Sequence, residues 1–140
     1  MRVKCFWVEK VWPEVIDWEN GIGSPRHRRL DTGEILQGRL PVGALIARKV
    51  EGQDDTGWTY DGGDGFSVMC VTPGGDWYID SRARNCGSKN DSKHRCWVRH
   101  GTKGGTLHVD KNGPTCSAGA GSIQCGDFHG FLHNGELYSC

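Results

Sequence analysis

Apolar and polar positions along this chain alternate over short stretches and almost never recur at the three-to-four-residue spacing of an amphipathic helix. "VKCFWVEKV", Val3 to Val11, alternates loosely and is rich in β-branched and aromatic side chains, which predicts a strand that Pro13 interrupts. "RLPVGALIARKVE", from Arg39, is the apolar run nearest mid-chain, and its Pro41 and Gly43 make it a turn leading into a strand or a single helical turn. The pattern sharpens from Phe66. "FSVMCVTPGGDWYID" reads as strand, Pro-Gly-Gly turn and strand, and "FHGFLHNGELYSC" as a hairpin on Asn134-Gly135. "RCWVRHG" and "TLHVD" supply two further strands. Between Glu14 and Arg39 the clusters "NGIGSP" and "HRRLDTGE" look like turn chemistry around short elements at most. The predicted fold is therefore mainly β: short antiparallel strands and hairpins joined by Gly-rich loops. It is a single domain over residues 1–140, with 1–50 partly irregular and a hairpin-rich, metal-binding part over 66–140.

Composition adds a constraint on stability. Glycine supplies 22 of 140 residues, about twice the usual fraction, and each one loses much backbone freedom on folding. Six Trp offset part of that by burying large apolar area. Trp7, Trp58, Trp77 and Trp97 are expected in the core, whereas Trp12 and Trp18, flanked by Pro and acids, fit a partner-binding patch equally well. No stretch has the order of a signal peptide and no apolar run reaches the length of a membrane span, so the chain reads as one made and kept in a cytosol.

The formal net charge is zero, but its distribution is uneven. From Glu51 to Asp80 there are acids and no Lys or Arg; from Arg82 to Lys103 bases face only Asp91. Mutual neutralisation of adjoining segments is the plainer reading. Nucleic-acid binding through Arg82 to Lys103 is the secondary one, disfavoured by the neutral total. The acidic "DDTGWTYDGGDG" lacks the closing Glu of a calcium loop and reads as solvated, while "VDKNGPTC" reads as a turn that Asp110 caps with Gly113 at positive φ.

The seven cysteines carry the chemistry. An odd count without a secretory signal makes a full disulfide framework the weaker explanation. In "NCGSKNDSKHRCWVRHG", His94 and Cys96 are two apart and project to one side of a strand, and Cys86 precedes them across a polar loop. "TCSAGAGSIQCGDFHGF" gathers Cys116, Cys125 and His129 among glycines. Two separated clusters, each able to give two ligands, match the needs of a closed tetrahedral zinc site. The expected ligands are Cys86, Cys96, Cys116 and His129, with His94 and Cys125 in reserve. A structural zinc contributes an apparent ~10 to 16 kcal/mol of folding free energy, enough to decide whether a lightly cored chain folds. The competing reading makes Cys70, Cys96 and Cys116 small buried hydrophobes. Cys5, Cys70 and Cys140 have no partner nearby in sequence.

"NC…HRCWVRHG…VDKNGPTCSAGAGSI…FHGFLHNG", with "RRLDTGEIL…LPVGALIA" and "VTPGGDWYID", resembles a family of small uncharacterised proteins, a domain of unknown function, encoded in tailed-phage and bacterial genomes. The likeness runs from about Arg28 to Leu137. It implies a phage or prophage context, with residence in the host cytoplasm or in the virion, and assigns no ligand. The expected role is a non-enzymatic zinc-binding module whose partner is another protein, a phage structural or host factor, with no membrane. Two alternatives stand beside it. One is a virion decoration or assembly protein. The other is a small hydrolase: either Cys96 or Cys116 attacks with His100 or His129 as base, or an open zinc site uses Asp127 or Glu136.

Overall fold

The computed structural model describes residues 1–13, 15–50, 61–82, 86, 94–111 and 121–140. Among these there are twelve strands and no α-helix: β1 (Arg2–Lys4), β2 (Phe6–Val11), β3 (Arg26–Arg29), β4 (Ile35–Leu36), β5 (Ala44–Lys49), β6 (Phe66–Thr72), β7 (Gly75–Tyr78), β8 (Trp97–His100), β9 (His108–Lys111), β10 (Ile123–Cys125), β11 (Phe128–His133) and β12 (Glu136–Ser139). They form a six-stranded sheet in the order β4-β3-β2-β5-β6-β7, a four-stranded sheet β1-β12-β11-β10, and the pair β8-β9. The mainly β reading holds, and every described pairing is antiparallel except β2 with β5.

The hairpins form where turn chemistry dictates. In β6–β7, Thr72 pairs with Gly75 around Pro73-Gly74, and the Thr72 hydroxyl donates to the Gly75 carbonyl at 2.7 Å. In β11–β12, His133 pairs with Glu136 around Asn134 (φ 51°) and Gly135 (φ 77°), the left-handed pair that a two-residue type I′ turn requires.

Two stretches depart from the sequence expectation. The run from Val3 to Val11 is two strands, because at Cys5 the chain leaves β12, the partner of β1, and enters the six-stranded sheet as β2. Residues 1–50 are also more regular than their polarity suggested. "RHRR" forms β3 beside β2, with Arg28 paired to Glu9 at 3.1 Å and the Arg29 guanidinium 3.9 Å from the centre of the Phe6 ring. β3 lies between β2 and β4 and takes its pairing from backbone groups on both sides, so an all-polar strand is stable there without apolar alternation.

The three sheets share one apolar core. Trp7, Leu45 and Val68 of the large sheet pack with Val109 of β9 and with Leu132 and Leu137 of the four-stranded sheet. Trp7 and Trp77 are buried and Trp97 is half-buried, as expected; Trp58 lies outside the described residues. Trp12 and Trp18 are 58% and 69% exposed beside the exposed Val15 and Ile16. Among the described residues no helix is long and apolar enough to cross a membrane.

Part of the charge asymmetry is consumed internally. Arg99 of β8 uses every guanidinium N–H. Nε donates to Asp80 at 3.0 Å, Nη1 to Asp64 and the Gly101 carbonyl, and Nη2 to Asp64 and the Phe66 carbonyl. Arg99 holds the Asp64 carboxyl far below the usual carboxylate range, while burial pushes Asp80 up against the pull of the same guanidinium. Asp64 also accepts from the Lys103 amide at 2.9 Å, so the acidic loop is partly a clamp on the basic strand rather than wholly solvated. Residues 51–60 of that loop, and Gly113 of the proposed turn, lie outside the described residues.

Candidate metal centre

The cysteine and histidine cluster forms where β8 begins. The Cys96 amide donates to the Ser81 carbonyl at 3.2 Å, tying this point of the chain to the segment that follows β7. Two residues earlier, just outside the strand, His94 comes back to Cys96, with Nε2 3.8 Å from its Sγ. Cys86 completes the group: one ligand atom from each of Cys86, His94 and Cys96 lies within 4.8 Å of the others. The thiols are dry, with Cys86 3% and Cys96 0% exposed, and Trp97 packs against both. Trp97 in turn meets Trp77 edge to face at 5.6 Å, which joins this small cluster to the main core.

Metal–ligand bonds of about 2.0–2.3 Å in a tetrahedron put neighbouring donor atoms roughly 3.5–3.8 Å apart. The His94–Cys96 separation is already there, and the rest need close by only about 1 Å. Two thiols and an imidazole in a dry setting can hold a metal ion of borderline-soft character, and the donor set disfavours magnesium or calcium.

The structure thus brings together Cys86 and Cys96 of the expected ligands, and the third converging donor is His94, held in reserve by the sequence reading, rather than His129. His129 lies on the exposed side of β11, because its neighbours Phe128 and Gly130 are buried and alternation turns it outward. Cys125 belongs to another seam, where its thiol donates to the Asp76 carbonyl at 3.6 Å. Cys116 lies outside the described residues. The residues flanking that segment do lie at the site. Lys111 is the register partner of Trp97, Gly121 sits against the Lys111 backbone, and the Trp97 indole donates to the Ser122 carbonyl at 3.2 Å.

Of the hydrolase pairings, that of Cys96 with His100 is disfavoured on geometry; those of Cys116 lie outside the described residues. Four residues of extended chain separate Cys96 from His100 by about 13 Å, and Cys96 is fully buried from any substrate.

A second converging group was not anticipated: His108, Asp110 and His133 also place ligand atoms within 4.8 Å of one another. His-x-Asp on a strand was the available signal, since it sets two donors on one face; the third donor arrives only through the packing of β11 on β9. Compared with known proteins, the chain matches no family model, no curated protein and no solved structure.

Proposed function

We infer that this is a zinc-stapled β module that acts by binding another protein. Cys86, His94 and Cys96 supply three zinc ligands, and Cys116, on the segment whose flanks meet beside Trp97, supplies the fourth. The observation that carries the reading is the convergence of two buried thiols and an imidazole from chain segments that no regular strand pairing joins. An ion there ties the β8–β9 pair to the segment after β7 and adds folding free energy that a Gly-rich chain otherwise lacks. The exposed Trp12, Val15, Ile16 and Trp18 support recognition of a protein partner, since aromatics outside a core are characteristic of interfaces. The resemblance to phage-encoded proteins, which the comparisons with known proteins neither support nor oppose, makes a phage structural or host factor the partner proposed here.

The test is metal analysis of the purified full chain, alongside the Cys86→Ser and Cys96→Ser variants. The expected result is zinc retained by wild type through gel filtration, and loss of both the metal and cooperative unfolding in each variant. A Cys116→Ser chain should fold but release zinc to a chelator far faster. Metal-free wild type that unfolds cooperatively and is indifferent to chelator would overturn the reading.

A further inference from the structure

Strands β8, β9 and β11 carry three imidazoles and a carboxylate to one place. His108 and Asp110 share a face of β9, and His100 is the register partner of His108 on β8. The His133 ring, at the end of β11, stacks on His108 with centroids 4.3 Å apart and planes 22° from parallel. Asp110 is shared between two rings: His100 Nε2 lies 2.9 Å from Oδ2 and His108 Nε2 3.2 Å from Oδ1.

His133 is the informative member. Its Nδ1 is 2.6 Å from the Tyr138 hydroxyl, and its Nε2 is buried with no hydrogen-bond partner. Were Nδ1 to accept from the tyrosine, Nε2 would carry a buried N–H with no acceptor in good hydrogen-bond geometry, the Val109 backbone being the weakest of the influences on the ring. The favoured tautomer has Nδ1–H donating to Tyr138 and leaves a lone pair on Nε2, which is the arrangement by which a neighbouring group orients a metal-binding histidine.

We propose that Asp110, His108 and His133 form a second metal site, for a divalent transition-metal ion of zinc's borderline class, with His100 as a further donor. Imidazole nitrogen with one carboxylate suits zinc, copper, nickel or cobalt and not calcium or magnesium. The thiolate centre takes the softer ligands, so the two sites differ in kind. Without a metal, Asp110 meets His100 and His108 while the His133 Nε2 lone pair faces no donor; an ion takes the place of the His108–Asp110 contact and accepts that lone pair.

Loading has a structural consequence at His108. Its Nδ1 accepts from the Asn134 amide at 3.2 Å, so the neutral ring carries its proton on Nε2, toward Asp110. A metal on Nε2 requires that proton on Nδ1 instead. The proton moves from one nitrogen to the other through solvent, none is released overall, and the Asn134 amide loses its acceptor. Occupancy is therefore reported by the turn that joins β11 to β12.

The experiment adds Zn2+ to the full chain whose thiolate centre is already loaded, and follows both metal stoichiometry and the Asn134 amide resonance. Wild type should take up one further ion per chain with a shift of the Asn134 resonance that saturates at the same point. His133→Gln, which keeps a side-chain amide to meet Tyr138, and Asp110→Asn should each lose that ion while retaining the first. Tyr138→Phe should weaken it about 10–100-fold, as loss of an orienting partner does. Equal stoichiometry in wild type and both variants, or an Asn134 resonance indifferent to Zn2+, would overturn the proposal. The wild-type resonance decides the matter even if a variant misfolds.

Discussion

Replacing Arg99 by Met removes a cation whose side chain is 1% exposed from between two carboxylates that are 4% and 14% exposed, Asp80 and Asp64. Breaking a buried ion pair from one side costs about 3–5 kcal/mol, mostly because the remaining charge is left uncompensated. Some compensation survives here. Asp80 still accepts from the Val68 amide at 2.9 Å, and Asp64 from those of Phe66 and Lys103. Against that, the carbonyls of Gly101 and Phe66 lose their donor as well. The expected loss for Arg99→Met is about 4 kcal/mol, and at roughly 3–4 °C per kcal/mol for a chain of this size the melting temperature falls by about 12–16 °C. Urea unfolding at fixed saturating zinc measures it, since a ligand that binds only the native state shifts the midpoint. Arg99→Lys should lose about half as much, because an ammonium offers three donors where five are used. The triple change Arg99→Met, Asp64→Asn, Asp80→Asn should recover most of the loss. A cost below about 1 kcal/mol for Arg99→Met, or a triple variant as unstable as the sum of its parts, would refute the view that these groups act as one electrostatic unit.

The same network sets a pH dependence. Asp64, depressed in the folded state, contributes stability that is present above the unfolded carboxylate value of about 3.9 and is lost as pH falls toward its folded value. Asp80, raised by burial, has the opposite sign and costs stability as pH climbs through its folded value. Urea midpoints should therefore show the advantage of wild type over Asp64→Asn shrinking from pH 5 to pH 2; a constant gap would contradict the assignment. Gly74→Ala should be severe, since a Cβ there would sit 1.7 Å from the Cys125 carbonyl oxygen on β10, so the seam between β7 and β10 must open. A loss of at least about 2 kcal/mol is expected in chemical unfolding, and a neutral substitution would mean that the seam is looser than described.

What could be read from the chain in advance follows from which interactions are local. The Pro73-Gly74 and Asn134-Gly135 turns and the closeness of His94 to Cys96 depend on a few adjacent residues, and pattern alone located them. Strand β3 escaped because its four residues are Arg and His, whose pairing rests on backbone groups and on the Glu9 and Phe6 side chains of β2. The parallel pairing of β2 with β5 joins Phe6 to Ala44, a separation over which local pattern is silent. At the candidate centre, Cys86, His94 and Cys96 lie within one short stretch and were named, His94 as a reserve; strand alternation, not composition, turns His129 to the exposed side of β11. His133 and His108 stack only through packing of sheet on sheet, and nothing near either residue announces the other.

Strand β1 occupies the edge of the four-stranded sheet next to β12, with Arg2 opposite Tyr138 and the Ser139 amide donating to the Met1 carbonyl at 3.2 Å. The β1–β12 pairing joins residues far apart along the chain, Arg2 with Tyr138, and the search over so great a span of sequence is intrinsically slow. Until that pair forms, Cys5 and the apolar face of β2 are held from one side only. Removing Glu136–Ser139 should therefore act at a distance, freeing Arg2–Lys4 as well.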